Sequence, residues 1–147
     1  PVAVEFNRYT ALKPASPAMS FEEEIREVPQ LQNIGLALFE FAESLFPQNS
    51  FNQDNHGRWV ARPENFVTLR VQPQAENIAI TLRGNPAEFL EFDELPLGQD
   101  QEGYSIFRIS EPSELRAAAA YISRAAELYR RGRTRTRQQP VLTEERI

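Results

Sequence analysis

His56 is the side chain best suited to proton transfer, and it is the only histidine in a chain of 147 residues. The segment Asp54-Asn55-His56 lies in a predicted loop near Trp59, where a general base could be exposed. A Ser-His-Asp triad would have to use His56, and a metal site with several histidines is impossible. With no cysteine, thiol nucleophiles and thiolate metal ligands are excluded as well. A polar turn residue is the simpler interpretation of His56, and we expect no catalytic residue.

A second set of candidates is the acidic segment 88–102, where Glu91, Asp93 and Glu94 are clustered. A metal-dependent nuclease needs such carboxylates, often with a lysine nearby. The single lysine, Lys13, lies far away in the N-terminal region, and the segment lacks the glycine-centred spacing of a calcium loop. The six glycines are scattered and form no phosphate-binding loop. The sequence therefore predicts a solvated acidic loop, no metal and no cofactor.

Arginine is the remaining residue type that could do chemistry, by binding phosphates. Lys13 is the only lysine among the 16 basic residues, so the other fifteen are arginines. Five of them fall within eight positions near the C-terminus, a pattern that predicts an anion-binding arm following a helix. The same charges could also favour the helix dipole and keep a tail soluble. The five residues are Arg130, Arg131, Arg133, Arg135 and Arg137.

Two main helices, the first preceded by a short helix and a kink, are predicted to flank the central part of the chain. Ser20 and Glu23 have the spacing of a capping box and mark a helix start. After Pro29, apolar residues recur at intervals of three and four, which predicts a main helix near 30–46. A long C-terminal helix is predicted to begin at Ser110-Glu111-Pro112 and to end at Gly132.

Four strands are predicted between these helices. Residues 58–61 and 66–71 form a hairpin, 78–83 extend it into a meander, and 104–109 supply a fourth strand. The polar stretch 47–57 is predicted to be a loop, and residues 87–103 a lid-like loop containing a helical turn.

Alternation along the strands predicts which side chains face away from the helices. If Val67, Ile80 and Phe107 and their alternate neighbours point inward, the opposite face combines aromatic and arginine side chains. Such a face could stack bases and bind phosphates, although an ordinary solvent-facing or dimer-forming sheet would have the same alternation. The outward set is Phe66, Arg70, Arg83, Tyr104 and Arg108.

The predicted architecture is α+β with two layers, an antiparallel sheet of about four strands covered on one face by two main helices. We expect an extended N-terminal arm over 1–19, one domain over 20–132 and a flexible tail over 133–147. The net charge of −5 and pI near 5.0 argue against a wholly basic nucleic-acid-coating protein. The longest weakly apolar run, Ala117 to Ile122, is too short for a membrane span. A soluble, cytoplasmic protein is expected.

The segments Arg58–Ala61, Asn65–Pro73 and Ile78–Leu82 resemble small bacterial α+β domains of unknown function, some of which bear the name "predicted transport protein". Their last strand is also followed by a serine-led helix, here Tyr104–Ser110 and then Glu111–Arg131. The resemblance covers about residues 25–131 and implies no catalytic residue. Some of these domains are appended to restriction or nuclease-like proteins, which implies a link to nucleic acids. The acidic stretch 87–103 departs from the compact family pattern.

Three functional hypotheses follow. The first is a non-enzymatic interaction domain that binds nucleic acid or an acidic partner through the open sheet face and the arginine arm. The second is a protein-binding adaptor or homo-oligomer, in which the sheet face and Phe89, Leu90 and Phe92 are buried against another chain. The third is a small hydrolase that uses His56 with the acidic loop.

Overall fold

A computed structural model describes residues 20–146, and their side chains as far as Gly132. The expected N-terminal arm, residues 1–19, lies outside the described residues. Helix α1 (Phe21–Arg26) begins at the predicted capping box. The Glu23 amide donates to Ser20 Oγ at 3.2 Å, and the Ser20 amide donates to Glu23 Oε1 at 2.9 Å. Helix α2 (Gln32–Leu45) follows a 3₁₀ turn at Pro29–Leu31, as the apolar spacing predicts.

Six antiparallel strands form one open sheet in the order β1-β2-β3-β4-β6-β5. The strands are β1 (Ser50–Gln53), β2 (Trp59–Arg62), β3 (Val67–Gln72), β4 (Asn77–Arg83), β5 (Gly98–Gln99) and β6 (Tyr104–Ile109). The fold is therefore α+β, and the four predicted strands correspond to β2, β3, β4 and β6. Two more strands extend the sheet, one at each edge.

The two edge strands were not predicted from the sequence, and the reason differs between them. Strand β1 consists mostly of polar residues, and Phe51 is its one large apolar side chain that packs against the helices. A single apolar residue gives no alternating pattern. Its ring lies 4.7 Å from that of Phe39 in α2. Strand β5 is only two residues long, too short to show any alternation. The prediction of a plain loop over 47–57 is therefore wrong for Ser50–Gln53.

One face of the sheet and the three helices share a single hydrophobic core. The inward alternation predicted for β3, β4 and β6 is confirmed, because every predicted inward side chain is buried. Helix α1 packs closely on α2 at Gly35, where an added Cβ would lie 2.7 Å from Ile25 Cγ1. The confirmed inward residues are Val67, Leu69, Val71, Ile78, Ile80, Leu82, Phe107 and Ile109.

Helix α3 (Leu115–Arg146) follows a 3₁₀ turn at Pro112–Glu114. The end predicted at Gly132 is wrong, because the helix continues through that glycine for fourteen residues more. One interior glycine costs a helix only about 1 kcal/mol relative to alanine, so Gly132 alone does not end it. No described helix combines the length and apolar content needed to cross a membrane.

Residues 87–103 are anchored rather than free-standing. A 3₁₀ turn at Pro86–Phe89 buries Phe89, and Leu95 is buried farther along. The hydroxyl of Tyr121 in α3 accepts a hydrogen bond from the Leu95 amide at 3.2 Å and lies 3.3 Å from the Leu95 carbonyl oxygen. The helical turn is confirmed, while Phe89 belongs to the core of its own chain. Leu90, by contrast, is 79% exposed.

Candidate nucleic-acid interface

The sheet face opposite the helices is formed by cross-strand rows of short side chains flanked by arginines. The central row crosses the whole sheet, and it is paired without interruption from β1 to β5. None of its members carries a charge, so this row gives the open face a neutral floor. Its members are Asn52, Val60, Thr68, Thr81, Ile106 and Gly98.

A second row carries two of the predicted arginines. Arg70 in β3 and Arg108 in β6 both pair with Ala79 in β4, so the two arginines lie on either side of a buried alanine. Both are exposed. With strands about 4.8 Å apart, their Cα atoms are separated by about 10 Å. Among the described residues, neither forms an ion pair.

Arg83 and Tyr104 lie on the other side of the floor and pair directly across β4 and β6. Arg83 Nη1 donates to the Tyr104 hydroxyl at 3.2 Å. The guanidinium carbon lies 5.7 Å from the Tyr104 ring centroid and 5.4 Å from that of Tyr129 in α3. Arg83 therefore connects the open face with the segment of α3 just before Arg130.

Two further arginines belong to this face, and the sequence analysis missed both. Arg58 directly precedes strand β2, Arg62 is its last residue, and both are exposed. Val60 pairs with Thr68 of the neutral floor, so alternation places Arg58 and Arg62 on the open side with it. The same alternation that was applied to β3, β4 and β6 would have found them in Arg58-Trp59-Val60-Ala61-Arg62.

Arg58 is held in place by Asp54. The Asp54 carboxylate accepts hydrogen bonds from the amides of His56 and Arg58, both at 2.9 Å, and from Arg58 Nε at 2.8 Å. Partial burial acts to raise the pKa of Asp54, but the two amides and the Arg58 guanidinium outweigh it and hold that pKa below its usual value. Asp54 thus orients the turn and Arg58, whereas the His56 imidazole has no hydrogen-bond partner in the described part of the chain.

Arg58, Arg62, Arg83 and Tyr104 border a shallow cleft of about 200 Å³ on the open face. Thr68, Thr81 and Val60 form its floor, and arginines stand on both sides of it. Hydroxyls and guanidinium groups are the donors that proteins use for phosphate and carboxylate oxygens. Two carboxylates also reach the cleft. The charged lining residues are Asp54, Arg58, Arg62, Arg83 and Asp100.

Phe66 does not face the open side, and that prediction is wrong. The residue precedes β3 in a bend, where strict alternation does not hold, and it is only 1% exposed. Its ring lies 4.9 Å from that of Phe46 at the end of α2. Tyr104 is therefore the predicted aromatic side chain that remains on the open face.

The C-terminal arginines lie on α3 and divide into two groups. Arg130 donates from Nη2 to the Leu45 carbonyl at 2.7 Å, and its guanidinium carbon lies 4.4 Å from the Phe46 ring centroid. Arg131 pairs with Glu127 at 2.7 Å. Both residues thus have intramolecular partners. Arg133, Arg135 and Arg137 belong to the helical backbone of α3, beyond the described side chains.

The acidic loop offers no metal site. Within the described residues, no group of three histidine, cysteine, aspartate or glutamate side chains could hold a metal ion. Glu91 instead lies 3.8 Å from Arg124 in α3.

Comparisons with known proteins give no relative from which a role could be carried over. No protein-family model matches the chain, and no curated protein or solved structure matches it either. The resemblance to small bacterial domains stays a hypothesis, and functional reasoning depends on the geometry of the open face.

Proposed function

We propose that the chain is a non-enzymatic binding module whose open sheet face binds single-stranded nucleic acid. The observation that carries this proposal is the placement of arginines from four strands and one turn around a neutral floor, with Arg70 and Arg108 on either side of Ala79. Exposed guanidinium groups with no carboxylate partner are available for phosphate oxygens. Arg62, Arg70 and Arg108 are of this kind within the described part of the chain.

A single strand suits this surface better than a duplex. Proteins that read duplex DNA commonly insert a helix or a two-stranded ribbon into a groove, whereas single strands lie across sheets and stack bases on aromatic rings and guanidinium planes. The half-buried Tyr104 ring, ordered by Arg83, supplies one such platform. Phe66 supplies none, because it is buried in the core. Binding by this face is therefore expected to depend mainly on phosphate contacts.

The arginines of α3 are proposed as a second, weaker contact. Arg83 touches Tyr129, the residue before Arg130, so the open face and this part of the helix are adjacent at one end of β4. A nucleic acid longer than the cleft could reach both. Arg130 itself has a structural role at the end of α2, and we assign the contact to the arginines that follow Arg131.

A hydrolase that uses His56 is not favoured by the geometry. The carboxylate nearest in sequence, Asp54, is hydrogen-bonded to two backbone amides and to Arg58 rather than to the imidazole. In catalytic triads a carboxylate accepts a hydrogen bond from the imidazole and orients it, and Asp54 does not do this for His56.

The test is fluorescence anisotropy with labelled 20-nucleotide single strands of DNA and RNA and with a 20-base-pair duplex. Titrations at about 50 and 150 mM salt give the salt slope, which is about −0.7 per neutralised phosphate for single strands. We expect single strands to bind more tightly than the duplex, with a slope of several units. A chain ending at Gly132 should bind more weakly but keep the preference for single strands.

No binding to any probe at the lower salt concentration would overturn the proposal. If polyglutamate displaced the labelled oligonucleotide as effectively as the unlabelled oligonucleotide does, the face would be assigned to binding an acidic protein instead. Sedimentation on the same samples tests the remaining hypothesis, in which the face forms a homo-oligomer. A concentration-dependent mass that is lost on charge reversal at Arg70 would support that hypothesis.

A further inference from the structure

A second depression lies on the helical side of the molecule, between α1, α2 and the edge strand β1. We call it the aromatic groove, and its volume is about 580 Å³. Phe21 stacks on Phe39 with ring centroids 4.5 Å apart, and Phe39 lies 4.7 Å from Phe51. Phe39 and Phe51 are only half-buried. The apolar residues of the groove are Phe21, Leu36, Phe39, Phe51 and Trp59.

Strand β1 forms one wall of the aromatic groove and is also an edge of the sheet. Its only strand partner in the described part of the chain is β2. An edge strand presents backbone amides and carbonyls that can pair with another extended segment. Phe51 turns its ring toward the helices from this strand, so a segment added to β1 would lie against the exposed aromatic rings.

Carboxylates line the rim of the aromatic groove, and no cation of the described residues pairs with them. Glu22, Glu40 and Glu43 all border it, and none forms an ion pair with a described residue. Burial, and then repulsion from Glu40, raises the pKa of Glu43. A cation that approaches the two glutamates would offset the repulsion between them.

We propose that the aromatic groove binds an extended, cationic peptide segment of a partner protein, which adds a strand to β1. Its inward side chains would place apolar groups on Phe39 and Phe51 and a lysine or arginine beside Glu40 and Glu43. Strand addition supplies main-chain hydrogen bonds, and alternate side chains supply specificity. The open face carries arginines and the aromatic groove carries glutamates, so the two surfaces select partners of opposite charge.

Trp59 gives a direct readout, because it borders the aromatic groove and is the only tryptophan. The probe is a blocked heptapeptide, VTFTRTV, whose alternate residues present valine, phenylalanine and arginine on one side. The matched control is VTFTETV, in which glutamate replaces arginine. Each is titrated into the full chain while tryptophan emission is recorded.

We expect a saturable emission change with VTFTRTV and at least tenfold weaker binding of VTFTETV. The E40Q/E43Q variant should reduce this discrimination to about threefold or less. The E76Q/E102Q variant removes two exposed carboxylates outside the groove, and it should leave the discrimination unchanged. Circular dichroism checks that each variant is folded, and E22Q is the substitute if the double variant is not.

Equal binding of the two peptides, or no emission change with either, would overturn the proposal. If the apparent molecular mass rose with protein concentration, and E40Q/E43Q removed that rise, the groove would be assigned to a second copy of the chain instead. Saturating oligonucleotide should leave peptide binding intact. Failure of the nucleic-acid proposal and failure of this one can therefore be told apart.

Discussion

Arg70 and Arg108 are second neighbours across the sheet, each paired with Ala79 of the strand between them. Because alanine is short and buried, nothing on β4 fills the space between the two guanidinium groups in this row. An anion lying across β4 could therefore be contacted from both sides. This arrangement is the central element of the proposed interface.

Asp54→Asn should weaken the turn before β2 and remove a pH-dependent contribution to stability. The folded-state pKa of Asp54 is lowered, so its stabilisation is present above the unfolded-state pKa of about 3.9. That stabilisation is lost as the pH falls through the folded value. Denaturant unfolding at several pH values should show the variant less stable at pH 7, with the difference shrinking in acid. A constant difference between pH 7 and 3 would contradict this.

Tyr121→Phe should loosen the segment around Leu95 while leaving the aromatic packing in place. The Tyr121 side chain is fully buried, and its hydroxyl contacts the backbone amide and carbonyl of Leu95. Leaving a buried amide without a partner costs about 1–3 kcal/mol. Hydrogen exchange should speed up at Leu95. Tyr129→Phe is the control, because no hydrogen bond of its hydroxyl is present in the described structure. Unchanged hydrogen exchange at Leu95 in the Tyr121→Phe variant would contradict the contact.

Gly84→Ala should be more damaging than Gly57→Ala, although both glycines have positive φ. At Gly84, φ is +117° and an added Cβ would lie 2.8 Å from Leu128 Cδ1 and 3.0 Å from Phe89 Cε1. At Gly57, φ is +79° and the Cβ would meet nothing within 4 Å. Backbone strain of about 1–2 kcal/mol applies to both, and overpacking adds about 1–3 kcal/mol at Gly84. Thermal unfolding of the two variants compares these costs directly.

The regular parts of the fold could be predicted from the sequence because local patterns and burial agree there. Val67, Leu69 and Val71 alternate with polar residues, and all three are buried. Phe66 breaks the alternation since it lies in a bend, where side-chain direction depends on tertiary packing against Phe46.

Other features depend on pairing that no local pattern reveals. Ser50–Gln53 is a strand because β2 lies beside it, not because its residues favour one. Arg58 joins the open face through the same parity rule as Arg70, yet its position depends on Asp54 in the preceding turn. The aromatic groove likewise forms only when α1, α2 and β1 come together, so its residues carry no joint signal in the sequence.

The most direct test of the account is single-strand binding by the R70A/R108A variant, compared with wild type and with the control R26A/R116A. The control removes two exposed arginines that lie on helices rather than on the sheet face. We predict that R70A/R108A weakens binding at least tenfold and makes the salt slope shallower by about 1.4, the value for two phosphate contacts on a single strand. The control should bind within twofold of wild type. Equal losses in the two variants, or an unchanged salt slope in R70A/R108A, would contradict the proposed interface.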